Sequence, residues 1–321
     1  MKASKVNALA LVLCALFAAG ANAQTYPIKP VRIVVPFAPG GATDTFSRAL
    51  ANELTPMLGQ QVLVDSRPGA GTTIGAEIVA KSPPDGYTLL FTDLSTHSIT
   101  PSLYRKLGYD PLRSFAPVAI ANISPLVLVV HPSVGAKTVK ELIAVAKRNP
   151  GMACGNSGVG TVTHMTAEKF AMLADIKMTA VSYKGGAVPV IALLGGEIPM
   201  VVTTVPASIE HVKKGRLVAL GLFADKRSTV APEIPAIGET LKGAEGAVIS
   251  GVLAPAGTPR AVIDRLNAAF GKANEAPKVK EIYASNAAEA IHVTPAAVQQ
   301  QLERDAKMWA QVVAATGVTP N

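Results

Sequence analysis

The chain has 321 residues, of which 49% are hydrophobic, 16% charged and 5% aromatic, and its formal charge is +8. That length can bury a core divided between two domains. The basic excess is mild and scattered, which does not suit a nucleic-acid surface with its basic clusters and stacking rings; a modest positive field suits a small anionic ligand.

Residues 1–23 read as a secretory leader. Lys2 and Lys5 make a basic start, 8–19 is a short apolar run, and Ala21 and Ala23 are the small residues of a cleavage site before Gln24. The run is too short to span a bilayer comfortably. Cys14 lies inside it, away from the cleavage end, so no lipid anchor is expected. The expected mature chain is soluble and exported, with 28 basic and 22 acidic residues, or +6. It retains one cysteine, Cys154, which cannot form an internal disulfide.

Strand-like and amphipathic helical runs then alternate. Strands are expected over 31–37, 61–65 and 87–92, and helices over 45–58 and 73–81. Phe46, Leu50, Leu54, Met57 and Leu58 recur at helical spacing, and Pro56 is a possible early stop. A second cycle begins after 124–132, with helices over 139–148, 163–174, 187–194 and 206–214 and strands over 152–155, 178–183, 199–203 and 217–223. A strand and turn at 246–259 lead into helices over 260–273, 278–285 and 294–316. The alternation predicts an α/β fold with a largely parallel sheet, helices on both faces and two lobes. Ligands of such folds sit at the carboxyl ends of strands and in clefts between lobes.

Three glycine turns separate a strand from a helix. The first is Pro39–Asp44, where glycine allows close backbone approach, Thr43 or Asp44 can cap the helix, and the first-turn N–H groups favour an anion. It lacks both the P-loop and the dinucleotide-binding spacing. Pattern alone leaves an ordinary strand–turn–helix joint equally open. The others are "GNSGVGTVTHM" from Gly155 and "VSYKGGAVPV" from Val181. Several such turns spread over both lobes favour a shared anion-binding cleft.

No catalytic set can be read. Gly155-Asn156-Ser157-Gly158-Val159 breaks the nucleophile-elbow pattern at its fifth position, and His164 has no assignable acidic partner. His97, His131, His211 and His292 are dispersed without metal-ligand spacing. Cys154 reads as a buried small residue rather than a nucleophile, and Lys184 as a solvated side chain. No cofactor, metal or catalytic residue is expected.

Taken together, "YPIKPVRIVVPFAPGGATD", "SRPGAGTTIGAEIVAKSPPDGYTLL", "LGYDPLRSFAPV", the two later glycine turns and "LAPAGTP" resemble the receptors of tripartite tricarboxylate transporters, the Bug-type solute-binding proteins, in the family's order. The resemblance implies a two-lobed, type II periplasmic-binding-protein-like fold that closes like a Venus flytrap. It implies a periplasmic receptor for a small organic anion, working with a two-component membrane permease, without catalysis or cofactor, as a monomer. Its lobes would be 24–123 with 224–321, and 124–223, crossing near 122–126 and 223–227. One ligand carboxylate would meet backbone groups of Ala38, Gly40, Gly41 and Thr43, with Asp44 completing the turn. Ser157, Gly158, Thr161 and His164, then Tyr183, Lys184 and Gly185, match the second-lobe loops. Ser66 and Thr72-Thr73 depart from the family's usual asparagine and glycine-asparagine, so that Thr72 or Thr73 would present a hydroxyl to the cleft instead. A dicarboxylate, an acidic amino acid and an aromatic carboxylate all fit. The rival classes are an exported hydrolase using Ser157 or His164, and a co-receptor for a membrane kinase.

Overall fold

A computed structural model of the chain describes residues 26–104, 106–228 and 231–319. The expected leader and its cleavage before Gln24 lie outside them. In chain order the elements are β1 (Val31–Val35), α1 (Ala42–Leu58), β2 (Val62–Ser66), α2 (Thr73–Ala80), β3 (Thr88–Asp93), α3 (Leu94–Leu103), β4 (Phe115–Val130), α4 (Val139–Arg148), β5 (Met152–Asn156), α5 (Val162–Ala174), β6 (Met178–Ser182), α6 (Val188–Leu194), β7 (Met200–Thr204), α7 (Val205–Lys213), β8 (Val218–Leu222), β9 (Ala247–Pro255), α8 (Arg260–Asn274), α9 (Pro277–Ser285), β10 (Glu289–Ala290) and α10 (Pro295–Thr316).

The fold is α/β and two-lobed, and one long strand belongs to both sheets. Strands β1, β2 and β3 run parallel, with β1 in the middle. β9 lies antiparallel to both β3 and β4. β4 pairs with β9 as far as Pro125, and from Leu126 onward it pairs with β7 and β8. In the second sheet β5 is parallel to β6 and β7. The sheet is therefore mixed, not largely parallel as the βα alternation suggests. That alternation holds for β1–β3 and for β5–β7, but β9 is antiparallel to β3 and β4, and β4 is antiparallel to β7 and β8.

Where β4 changes partners, three backbone hydrogen bonds link Leu126, Phe223 and Gly246. Leu126 N–H donates to the Gly246 carbonyl (3.1 Å), Phe223 N–H to the Leu126 carbonyl (2.8 Å) and Gly246 N–H to the Phe223 carbonyl (2.9 Å). The first sheet is covered on one face by a core including Phe46, Leu50, Phe91, Phe270 and Tyr283, and on the other by Leu90, Leu94, Leu253, Val298 and Leu302. The second sheet is flanked by clusters built around Leu128, Phe170 and Phe223, and around Val129, Leu193 and Val201.

Two helices depart from the sequence reading. The sequence pattern gives no sign of α3: its segment, LSTHSITPSL, is polar and contains Pro101. It forms because Asp93 caps it, accepting from Ser95 N–H at 3.0 Å, and because burial replaces the missing amphipathic stripe. α10 serves both cores. Val298 and Leu302 pack with the first sheet, whereas Trp309 and Val312 pack with Phe170 and Met165.

Candidate functional site

The three glycine turns lie at the carboxyl ends of parallel strands, where the backbone leaves the sheet and helix N-termini point outward. After β1, helix α1 starts at Ala42, three residues before the expected 45, because Gly41 and not Thr43 or Asp44 is its N-cap. Gly41 has no side chain to cap with. The first intrahelical bond runs from Thr45 N–H to the Gly41 carbonyl (2.9 Å), so the N–H groups ahead of it have no helical partner. Ala38, Gly40 and Gly41 are exposed, while Thr43 and Asp44 are buried. Gly40 is held at φ +83, which suits glycine.

Asp44 braces this turn from behind. Its carboxylate accepts from Gly40 N–H (3.0 Å), Ser66 Oγ (2.9 Å), and Arg48 Nε and Nη2 (2.9 and 3.0 Å). Burial alone would raise its pKa, but these donors outweigh burial and hold it below the usual carboxylate range. Ser66 thus ties the end of β2 to the turn after β1.

After β2 the backbone takes positive φ at four successive residues: Gly69, Ala70, Gly71 and Thr72. Thr72 caps α2 in the left-handed region, and Thr73 Oγ1 donates to the Ala70 carbonyl (2.8 Å). Both threonines are buried, so the Thr73 hydroxyl is spent inside its own turn.

The second-lobe loop is a network of hydroxyls. Ser157 Oγ lies 2.7 Å from Thr163 Oγ1 and 3.3 Å from Thr161 Oγ1, and Ser157 N–H donates to Thr163 Oγ1 (3.0 Å). Thr161 caps α5 and its hydroxyl donates to the Gly158 carbonyl (2.8 Å). Asn156, fully buried at the end of β5, accepts from Gly158 N–H (3.0 Å). The third turn docks on this loop, with Tyr183 N–H donating to the Asn156 carbonyl (3.0 Å) and Gly185 N–H to the Ser157 carbonyl (3.1 Å). Lys184 is exposed beside it.

His164 works within its own lobe. Its Nδ1 accepts from Gly160 N–H (3.1 Å), and Nε2 stands 3.6 Å from Glu168. With Glu168 and Ser182 it lines a hollow of about 400 Å³ that Val318 also borders and that no residue of 38–44 lines.

Sequence reasoning missed Thr163, Asn156, Arg48 and the whole of α3. Thr163 was hidden because a helical threonine carries no signal of its own; the Ser-x-x-x-Thr-x-Thr spacing in a glycine-rich loop is the clue. The end of α3 touches both lobes' loops. A Cβ on Gly71 would stand 2.6 Å from the Tyr104 hydroxyl, and one on Gly160 would stand 2.4 Å from Leu103 Cδ1.

Cys154 is buried, and burial pushes its thiol up to about 12, so the reactive thiolate is suppressed. His97 is buried at 2.7 Å from the Pro111 carbonyl, and burial lowers its pKa to about 4. Asp93 is also buried, and burial raises it to about 6. The native protein holds this proton between about pH 4 and 6, where the unfolded chain has released it. The contribution of Asp93 to stability is therefore largest below its unfolded pKa and is lost as pH rises through about 6, by on the order of 3 kcal/mol. Urea midpoints between pH 4 and 7 should show this slope in the wild type and a flatter one in Asp93→Asn. Equal slopes would remove Asp93 as the cause.

Residues 46–318 match the Tripartite tricarboxylate transporter family receptor. The chain belongs to this family. It is 36% identical to Protein BugT of Bordetella pertussis over 305 residues, which cover 94% of this chain and 93% of that one. Among solved structures it is similar to a Rhodopseudomonas palustris protein with adipate, at a TM-score of 0.82 and 31% identity over 92% of this chain and 100% of that one. It is also similar to MatC of Rhodopseudomonas palustris with bound malate, at a TM-score of 0.79 and 29% identity over 90% and 100%. The family and these neighbours are solute-binding proteins. No helix among the described residues is long and apolar enough to cross a membrane.

Proposed function

We propose that this receptor works in the periplasm, where it captures a small carboxylated metabolite and delivers it to a two-component tripartite tricarboxylate-type permease, as a monomer and without turnover. The observation that carries the reading is the Pro39–Asp44 turn. Residues 38–42 are exposed, no side chain caps the helix, and Asp44 braces the turn from behind with its charge already neutralised by Arg48. Helical N–H groups without partners, at a positive dipole end, donate to a carboxylate. In this reading the backbone of Ala38, Gly41 and Thr43 takes the first ligand carboxylate, while Gly40, whose N–H is given to Asp44, shapes the turn. The Ser157, Gly158 and Thr161 loop, with Tyr183 and Gly185 beside it, closes from the other side. The malate and adipate held by the two R. palustris relatives support a dicarboxylate. The moving bodies are 24–123 with 224–321, and 124–223, turning about Leu126, Phe223 and Gly246. The ligand favours the closed arrangement because it touches both lobes only there.

Calorimetry against malate, adipate, aspartate, benzoate and their uncharged amides tests this. At least one carboxylate should bind while its amide does not. Binding of the amides with equal strength would overturn anion capture. The hydrolase alternative is disfavoured by the hydrogen bonds: Ser157 Oγ is engaged with Thr161 and Thr163, and both ring nitrogens of His164 face other groups.

A further inference from the structure

The N-cap and first turn of α3 carry three polar side chains, Asp93, Ser95 and Thr96, that hold two different parts of the molecule. Asp93 Oδ1 accepts from Ile249 N–H (3.3 Å), and Ser95 Oγ donates to the Ala247 carbonyl (2.8 Å); both tie α3 to the strand that follows the Gly246 crossing. Thr96 Oγ1 donates to Asp93 Oδ2 (2.5 Å), which orients its lone pairs, and accepts from Val162 N–H at 3.2 Å. Val162 is the first residue of α5, so its N–H has no helical partner of its own. A first-lobe hydroxyl therefore satisfies a helix end that belongs to the second lobe.

The rest of α5 follows the same seam. Val162, Thr166 and Lys169 share one helical face. A Cβ on Gly246 would stand 2.3 Å from Thr166 Oγ1, and Lys169 Nζ donates to the Glu245 carbonyl (3.0 Å) while lying 5.7 Å from the Trp309 ring centre. One face of α5 thus runs along the crossing segment, and its N-terminus, where the Ser157–Thr161 loop ends, is pinned at Thr96.

We infer that Thr96, oriented by Asp93, is a positioning residue for ligand binding: it sets the place of the second-lobe loop from the opposite lobe. This rests on the receptor reading for its purpose, but its test needs no ligand. Amide hydrogen exchange is followed at Val162 in the wild type, Thr96→Ser and Thr96→Val. Spin labels at Asn52→Cys and Lys213→Cys, with Cys154 buried, report the distance between lobes. Val162 should be protected in the wild type and in Thr96→Ser. In Thr96→Val it should exchange about tenfold faster, the scale of one lost hydrogen bond, while Phe170 keeps its protection and the interlobe distance distribution broadens. Asp93→Asn leaves Thr96 in place but competes for its lone pairs, so it should accelerate Val162 in the same direction. The inference is overturned if Val162 exchanges freely in the wild type, if Thr96→Ser behaves like Thr96→Val, or if Val162 is released without any change in interlobe distances. Failure of every carboxylate in calorimetry leaves these readouts intact and strikes the receptor reading alone.

Discussion

Replacing Gly41 by valine is expected to weaken carboxylate binding by about tenfold to a hundredfold per hydrogen bond lost, with the fold intact. Charge-assisted bonds from backbone N–H are worth about 1.5–3 kcal/mol each, and about 1.4 kcal/mol is a factor of ten. The position separates binding from stability well. Gly41 has φ −76, which any residue adopts, and an added Cβ would meet only the Ala38 carbonyl oxygen at 3.6 Å. The branched side chain would instead occupy the open side of the turn, where the anion must approach. Gly40, at φ +83, would not separate them, because substitution there strains the backbone first. Lys184→Ala is the control: its side chain is exposed and makes no part of the turn, so a backbone-held ligand loses little. Calorimetry with the carboxylate found in the panel, alongside far-UV circular dichroism, decides. Wild-type affinity in Gly41→Val together with abolished binding in Lys184→Ala would mean that a charged side chain, not the helix N-terminus, holds the ligand.

The largest expected loss of stability is at the crossing. Phe223 is 1% exposed, packs edge-on against Phe170 at 6.0 Å, and its backbone belongs to the three-bond cycle with Leu126 and Gly246. Phe223→Ala should cost about 3–5 kcal/mol, since neighbours fixed by two crossing segments cannot collapse into the space left. The urea midpoint should fall with little change in slope. A loss under about 1 kcal/mol would show that the crossing relaxes freely, and would weaken its assignment as a tightly packed pivot.

Much of the fold was legible in the residues. Local patterning accounts for most elements within a few positions, because each lobe alternates β-branched runs with amphipathic runs whose buried faces are set by spacing alone. The glycine turns were legible for the same reason: tight backbone geometry at a strand–helix joint admits few residue types. Long-range pairing was not legible. The segment read over 124–132 is the end of a longer strand, β4, whose two halves serve different sheets, and its local pattern does not say which strands each half pairs with.

What the sequence determined by itself is the family, the α/β class and the first-lobe turn, all of which rest on neighbouring residues. What tertiary structure decided is who satisfies whom. Asp44 turns inward because Ser66 and Arg48 reach it; His164 is committed to Gly160 and Glu168; α10 divides its apolar face between two cores. The polar segment of α3 becomes a buried helix only because Asp93, Ser95 and Thr96 find partners more than sixty positions away. Buried polar groups must be paired, and those partners come together only when the chain has crossed between its lobes.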